Sequence, residues 1–242
     1  MKSITRNIFI FILTLTLVQS IFSQKAWEKD WQKWDQKDAQ KVLNESPWVF
    51  SYTDIDISLL TTGINKNSPS LNVASPYIVL RWYSALTTQK AMLRLNQISQ
   101  KYDSMTEKQK LEFDEKNSLN CGNCKNYYVL FLMQPAAPNT PNLIGQRFKS
   151  LKFEDLKNNV YLTNDKGEKR ELAQFVAPKD DAGFAVFYFE RLNADKKPLI
   201  ISESKKVNVI MELNSISNPI HYLQKKVEFN VQKMIINGEI DF

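Results

Sequence analysis

The spacing of apolar residues changes along this chain, and the changes predict its elements. Between residues 24 and 44, Trp27, Trp31 and Trp34 fall at i, i+4 and i+7. Ala39, Val42 and Leu43 continue the stripe after a small shift, with Lys, Glu, Asp and Gln on the other positions. That is a helical period, closed by Pro47 because the residue before proline avoids helical backbone. From Val49 to Leu60 the pattern alternates through Phe50, Tyr52, Ile55, Ile57 and Leu59, with a change of parity near Asp54 that predicts a bulged strand. Thr61 to Pro76 is polar and rich in Asn, Ser and Pro, hence a loop. Tyr77 to Tyr83, with its β-branched and aromatic residues, reads as a strand. A helix follows, capped by Thr87 or Thr88, with Ala91, Leu95, Ile98 and Tyr102 on its apolar face. Ser104 with Glu107, or Thr106 with Gln109, offers a capping box for a charged, solvated helix to about Lys116.

Tyr127 to Met133 is a continuous apolar run of strand length, which places it centrally in a sheet. Pro135, Pro138 and Pro141 then form a stiff connection that marks a boundary. Beyond residue 156 every period is two. Val160–Thr163 and Glu168–Val176 flank Asn164-Asp165-Lys166-Gly167, a hairpin signal. Phe184–Glu190, the Val207/Val209/Met211/Leu213 series and the Val227/Phe229/Val231 series are further strands, and Asn237-Gly238 turns the chain before Ile240. The fold expected is α+β: an N-terminal helix and sheet region over 24–141, then a C-terminal antiparallel β-sandwich or partial barrel over 142–242.

Residues 1–23 stand apart. Lys2 and Arg6 precede an apolar run from Ile8 to Val18, and small residues follow at Ser20 and Ser23. This is the layout of a secretory signal peptide, with cleavage expected after Ser20 or Ser23, and the run is shorter than the roughly 20 apolar residues of a membrane span. The expected location is therefore periplasmic or extracellular, with no transmembrane span in the mature chain. A hydrophobic share of 43% with 12% aromatic residues suffices for a packed core, which excludes a disordered chain. Removing Lys2 and Arg6 lowers the formal charge from +6 to +4, and the basic residues are interspersed with acidic ones. A nucleic-acid binder would cluster them, so that class is set aside. Six scattered glycines exclude a Gly-rich phosphate loop, and the single histidine, His221, excludes a multi-histidine metal site.

Cys121-Gly122-Asn123-Cys124 is the one short motif with recognisable chemistry. In a thioredoxin-like enzyme such a pair follows a strand and opens a helix. Here it follows a charged segment and leads into the Tyr127–Met133 strand, with Asn120 where an aromatic would stand. In an exported chain the pair reads as a structural disulfide. Cys121, Cys124, His221 and a carboxylate could supply zinc ligands by type, but no second spaced pair completes a site. The acidic pairs Asp54/Asp56 and Asp180/Asp181 have the chemistry of a hydrolase, yet their spacing matches solvated turns. Trp27, Trp31 and Trp34 are read first as a packing face and second as a candidate binding face.

Asn44-Glu45-Ser46-Pro47-Trp48 after the first helix, Arg81-Trp82-Tyr83-Ser84-Ala85, and the closing Val227–Gly238 segment with Met234 resemble a class of uncharacterised exported bacterial proteins. The resemblance spans most of the mature chain and implies export; it implies no activity, so no functional residue is carried over from it. The function expected is that of an exported, non-catalytic protein without cofactor or metal that binds another protein or a cell-envelope component. The alternative is an enzyme: a thiol–disulfide protein using Cys121 and Cys124, or a hydrolase built on carboxylates.

Overall fold

A computed structural model describes residues 24–52, 77–119, 121–135, 142–180, 183–216, 220, 223 and 225–242. Residues 1–23, the second half of the long alternating stretch from Val49, Pro138, Pro141, His221 and the carboxylates Asp54, Asp56 and Asp181 lie outside them. The principal sheet has eight antiparallel strands. In chain order these are β1 (Val49–Tyr52), β2 (Ile78–Trp82), β3 (Tyr127–Met133), β4 (Val160–Asn164), β5 (Lys169–Val176), β6 (Ala185–Glu190), β7 (Lys206–Met211) and β8 (Lys226–Asn230). Their order across the sheet is β1-β2-β3-β6-β5-β4-β7-β8. A two-stranded hairpin, β9 (Ile235–Ile236) and β10 (Glu239–Ile240), turns on Asn237 and Gly238, both at positive φ as a tight primed turn requires.

The α+β class holds, but the strands expected to build a separate sandwich continue the N-terminal sheet. β3, before the proline connection, pairs with β6, after it, from Tyr127↔Glu190 to Leu132↔Ala185. The curvature comes from β5. Its residues 169–171 pair with β4, its residues 172–176 pair with β6, and the register shifts between Leu172 and Gln174. A bulge bends a strand and strengthens its twist, so the sheet turns back on itself there. Trp82 of the second strand in the order consequently lies 5.7 Å, ring to ring, from Phe229 of the eighth. Ile78, Leu80, Leu130, Phe187, Val207, Val209 and Val227 join them in one core. The sheet curls toward a barrel, with β1 and β8 as its two ends.

Three longer helices belong to the first half: α1 (Gln36–Glu45), α2 (Leu86–Ser99) and α3 (Glu107–Lys116). Two short ones, α4 (Leu143–Phe148) and α5 (Phe153–Leu156), follow the proline connection. The Thr106/Gln109 capping box expected for α3 is present, with Gln109 N donating to Thr106 Oγ1 and Thr106 N to Gln109 Oε1. The continuous helix expected over 24–44 is not formed. Residues Ala26–Glu28 and Trp31–Lys33 are separate 3₁₀ turns, and Asp35 starts α1 by accepting from Asp38 N at 2.7 Å. The competing signal was local: Asp30 accepts from Gln32 N, so the aspartates that looked like the polar face of one helix start new turns instead.

Arg81 anchors this layer to the sheet. It points away from the main core, since its β2 neighbours Leu80 and Trp82 point inward, and it is 5% exposed. Its Nε and Nη2 both donate to the carbonyl of Leu43 at the end of α1, Nε at 3.0 Å. Burial lowers its pKa to about 10, which leaves it cationic at neutral pH opposite a helix C-terminus that favours positive charge.

The cap of α2 also differs from expectation. Thr87 and Thr88 lie inside the helix and are buried, and the N-cap, Ala85, offers no side-chain acceptor. The cap comes from the far end of the chain: Asp241 accepts from Leu86 N at 2.9 Å and Thr87 N at 3.0 Å, while its carbonyl takes Trp48 Nε1 at 2.7 Å. Replacing Asp241 by Ala should therefore cost about 1–2 kcal/mol of stability, as loss of an N-cap does, without changing the urea m-value. Amide exchange at Leu86 and Thr87 should accelerate in the same variant, and exchange unchanged there would show that the carboxylate is not the cap.

Candidate functional site: a tryptophan-lined cleft

The three tryptophans read from the sequence converge although they do not share a helix. Trp27, Trp31 and Trp34 line a cleft of about 420 Å³, closed by Thr87 and Lys90 of α2 and by Ile235, Ile236 and Asn237 of the last hairpin. That volume lies in the range of small-ligand sites. Trp34 is 1% exposed and forms its floor, packed with Ala39, Val42, Leu43 and Ala91. Trp27 and Trp31 are half-buried and offer indole surface. Trp27 meets Trp48 edge-on at 6.5 Å and so touches both cores, while the Lys25 ammonium lies 5.8 Å from its ring.

The turns that carry these rings are held firmly. Arg94 of α2 donates from Nε to the Trp34 carbonyl at 2.8 Å and reaches Asp103 with its other nitrogens at 3.0 and 3.2 Å. Lys29 ion-pairs with Asp38 at 2.8 Å. The Arg94 contact holds the Asp103 carboxyl below the usual carboxylate range. The remaining polar groups on the wall are of both signs: Glu28 and Asp30 beside Lys29, then Lys90 and Asn237, whose side chains make no hydrogen bond among the described residues. Indole faces with a few spare polar groups suit a compact ligand that stacks and hydrogen-bonds at once.

Cys121 and Cys124 form a disulfide with Cα atoms 5.2 Å apart, inside a turn closed by Cys124 N donating to Cys121 O at 2.9 Å. The turn opens β3 and not a helix, so no helix N-terminus faces a sulfur. Arg191 holds the turn from the other side, its Nε donating to the Cys124 carbonyl at 2.8 Å. The bond lies beside an aromatic surface that the sequence reading passed over. β3 is buried on one face, but Tyr127 and Phe131 on the other are half-exposed, with Tyr83 stacked on Phe131 at 4.1 Å and Phe184 at 4.7 Å. The signal was available, since Tyr127, Val129 and Phe131 share one parity of the run and continuous hydrophobicity hid it. Among the described residues no group of three or more His, Cys, Asp or Glu is placed to hold a metal ion, and no helix is long and apolar enough to cross a membrane.

Compared with known proteins, the chain matches no family model, no curated sequence and no solved structure.

Two predictions separate floor from wall in the cleft and test the disulfide. Trp34→Ala should cost about 3–5 kcal/mol, the usual cost of deleting a buried aromatic, and Trp31→Ala markedly less, both read from denaturant midpoints. Replacing Cys121 and Cys124 together by Ser should cost no more than about 2 kcal/mol, because the loop they close is short.

Proposed function

We propose that the protein is an exported, non-catalytic binding protein whose tryptophan cleft takes a compact part of a cell-envelope component. The single observation that carries the reading is the convergence of Trp27, Trp31 and Trp34 on one concave wall with Lys90 and Asn237, from three segments far apart in sequence. A concave site of this size admits one small moiety, whereas a broad protein interface needs hundreds of square ångströms of complementary surface. Export is supported by the charged, apolar and small-residue layout of 1–23 and by the disulfide, a bond that persists in oxidising compartments. A thiol–disulfide enzyme is the weaker reading, because the turn lacks the helix N-terminus that activates an attacking thiolate.

Tryptophan emission reports the cleft directly. Titration with a solubilised envelope fraction should shift the emission of the full chain saturably, and Trp31→Ala should lose most of that shift while keeping its unfolding midpoint within about 1 kcal/mol of the parent. An envelope fraction that leaves the spectrum unchanged, or binds the variant equally well, would overturn the assignment of this cleft. Recovery of the protein in the cytoplasm with residues 1–18 intact would overturn export.

A further inference from the structure

The turn between β4 and β5 and the turn at 193–198 enclose a second hollow, of about 330 Å³, whose hydrogen-bonding groups are unbalanced. Its lining carries Lys166, Lys169, Arg170 and Lys197 against one carboxylate, Glu168. The acceptors are largely consumed within the protein. Glu168 Oε2 takes Asn164 Nδ2 at 2.7 Å, and Asn164 Oδ1 takes Lys166 N and Glu168 N, each at 3.0 Å. Asn193 Oδ1 takes Lys197 N at 2.8 Å. The carbonyls of Lys197, Leu199 and Ile201 accept from Asn193 N, Asn164 Nδ2 and Ser204 N respectively.

The donors are left over. The ammonium groups of Lys166 and Lys197 make no hydrogen bond or ion pair among the described residues, whereas Lys169 is engaged by Glu171 and by the Tyr161 ring. Arg170 gives Nη2 to the Lys197 carbonyl at 3.3 Å, but its Nε is buried without a partner among the described residues. Ser204, 3% exposed, accepts from Ile201 N at 3.1 Å, and no described residue takes its hydroxyl proton. A buried donor without an acceptor is costly, and bonds from charged donors to anionic oxygens are the strong ones. The complement of this hollow is therefore an anion that only accepts. Its spare donors come from four separate residues, which suits the several oxygens of a tetrahedral group better than the two of a carboxylate.

We infer that this hollow is a binding site for the phosphate group of a phosphorylated ligand, independent of the tryptophan cleft. The same chemistry is offered by a free phosphate ester and by a phospholipid headgroup, and the test separates them. Calorimetric titration of the full chain with glycerol 3-phosphate should show saturable binding that Arg170→Gln weakens by roughly tenfold or more, the scale of one charge-assisted contact. Lys125→Gln, away from the hollow, should leave the affinity unchanged. Because Arg170 is partly buried, Lys166→Gln/Lys197→Gln is the companion variant: both side chains are exposed, and it should weaken binding to a similar degree. Sedimentation with phosphatidylglycerol vesicles, against phosphatidylcholine vesicles, reads the second source. Binding to the ester assigns a soluble ligand, and binding to the anionic vesicles alone assigns a headgroup; either supports the site if the hollow variants lose it. Binding of neither probe, or binding that the hollow variants retain, overturns it.

Discussion

β5 gives its first residues to β4 and its last to β6, and the extra residue at Ala173 turns the strand between the two partners. Without that turn the eight strands would form an open, twisted sheet with two apolar faces to cover. With it, one face closes on itself. Trp82 and Phe229, six places apart in the strand order, become neighbours, and a single core takes in both halves of the chain. The outer face then needs covering only in part. α1 lies over the β1–β2 end, tied down by Arg81, and α2 packs on α1 and holds the Trp34 turn through Arg94. The face over β3 and β6 keeps half-exposed aromatic residues and the disulfide.

The cleft follows from this closure. Curling the sheet brings the end of the chain under the start of α2, where Asp241 completes the helix and its carbonyl receives Trp48. The β9–β10 hairpin arrives with it and becomes the wall facing the tryptophan turns. The cleft thus depends on a contact across 154 residues, and its floor, Trp34, belongs to the small helical core. Stability and shape are coupled here: the segment that offers Trp31 to a ligand is held in place by the burial of Trp34 three residues on.

Much of this was legible from local pattern. The strands from Tyr127 onward, the Asn164–Gly167 and Asn237-Gly238 turns, the Thr106 cap and the cysteine turn all rest on short-range rules, and all are formed. What was not legible depends on distant partners. A period of two fixes which face a residue takes, but not which strand lies beside it, so one curled sheet and a two-part arrangement share the same alternation. A helix whose N-cap, Ala85, lacks an acceptor looks like one capped two or three residues later, by Thr87 or Thr88, because a carboxylate 154 residues away has no local signature. The tryptophan spacing was helical, yet the aspartates within it stop and restart the turn. The rings converge for a reason that helical spacing does not state.

Charge gains meaning from placement in the same way. A formal surplus of +6, spread among acidic residues, argues against a nucleic-acid binder, since a polyanion demands a stripe of cations along one face. It does not argue against a single anion. Around the β4–β5 turn the basic residues gather at one point, and hydrogen bonding has already claimed most of the nearby acceptors. Such a hollow cannot follow an extended backbone of phosphates, but it has the donors for one. The tryptophan cleft is the opposite case, with carboxylates and ammonium groups alternating around apolar rings. Two hollows of similar size on one small fold therefore select by different physics. Stacking area and mixed polarity govern the first, and uncompensated donors govern the second.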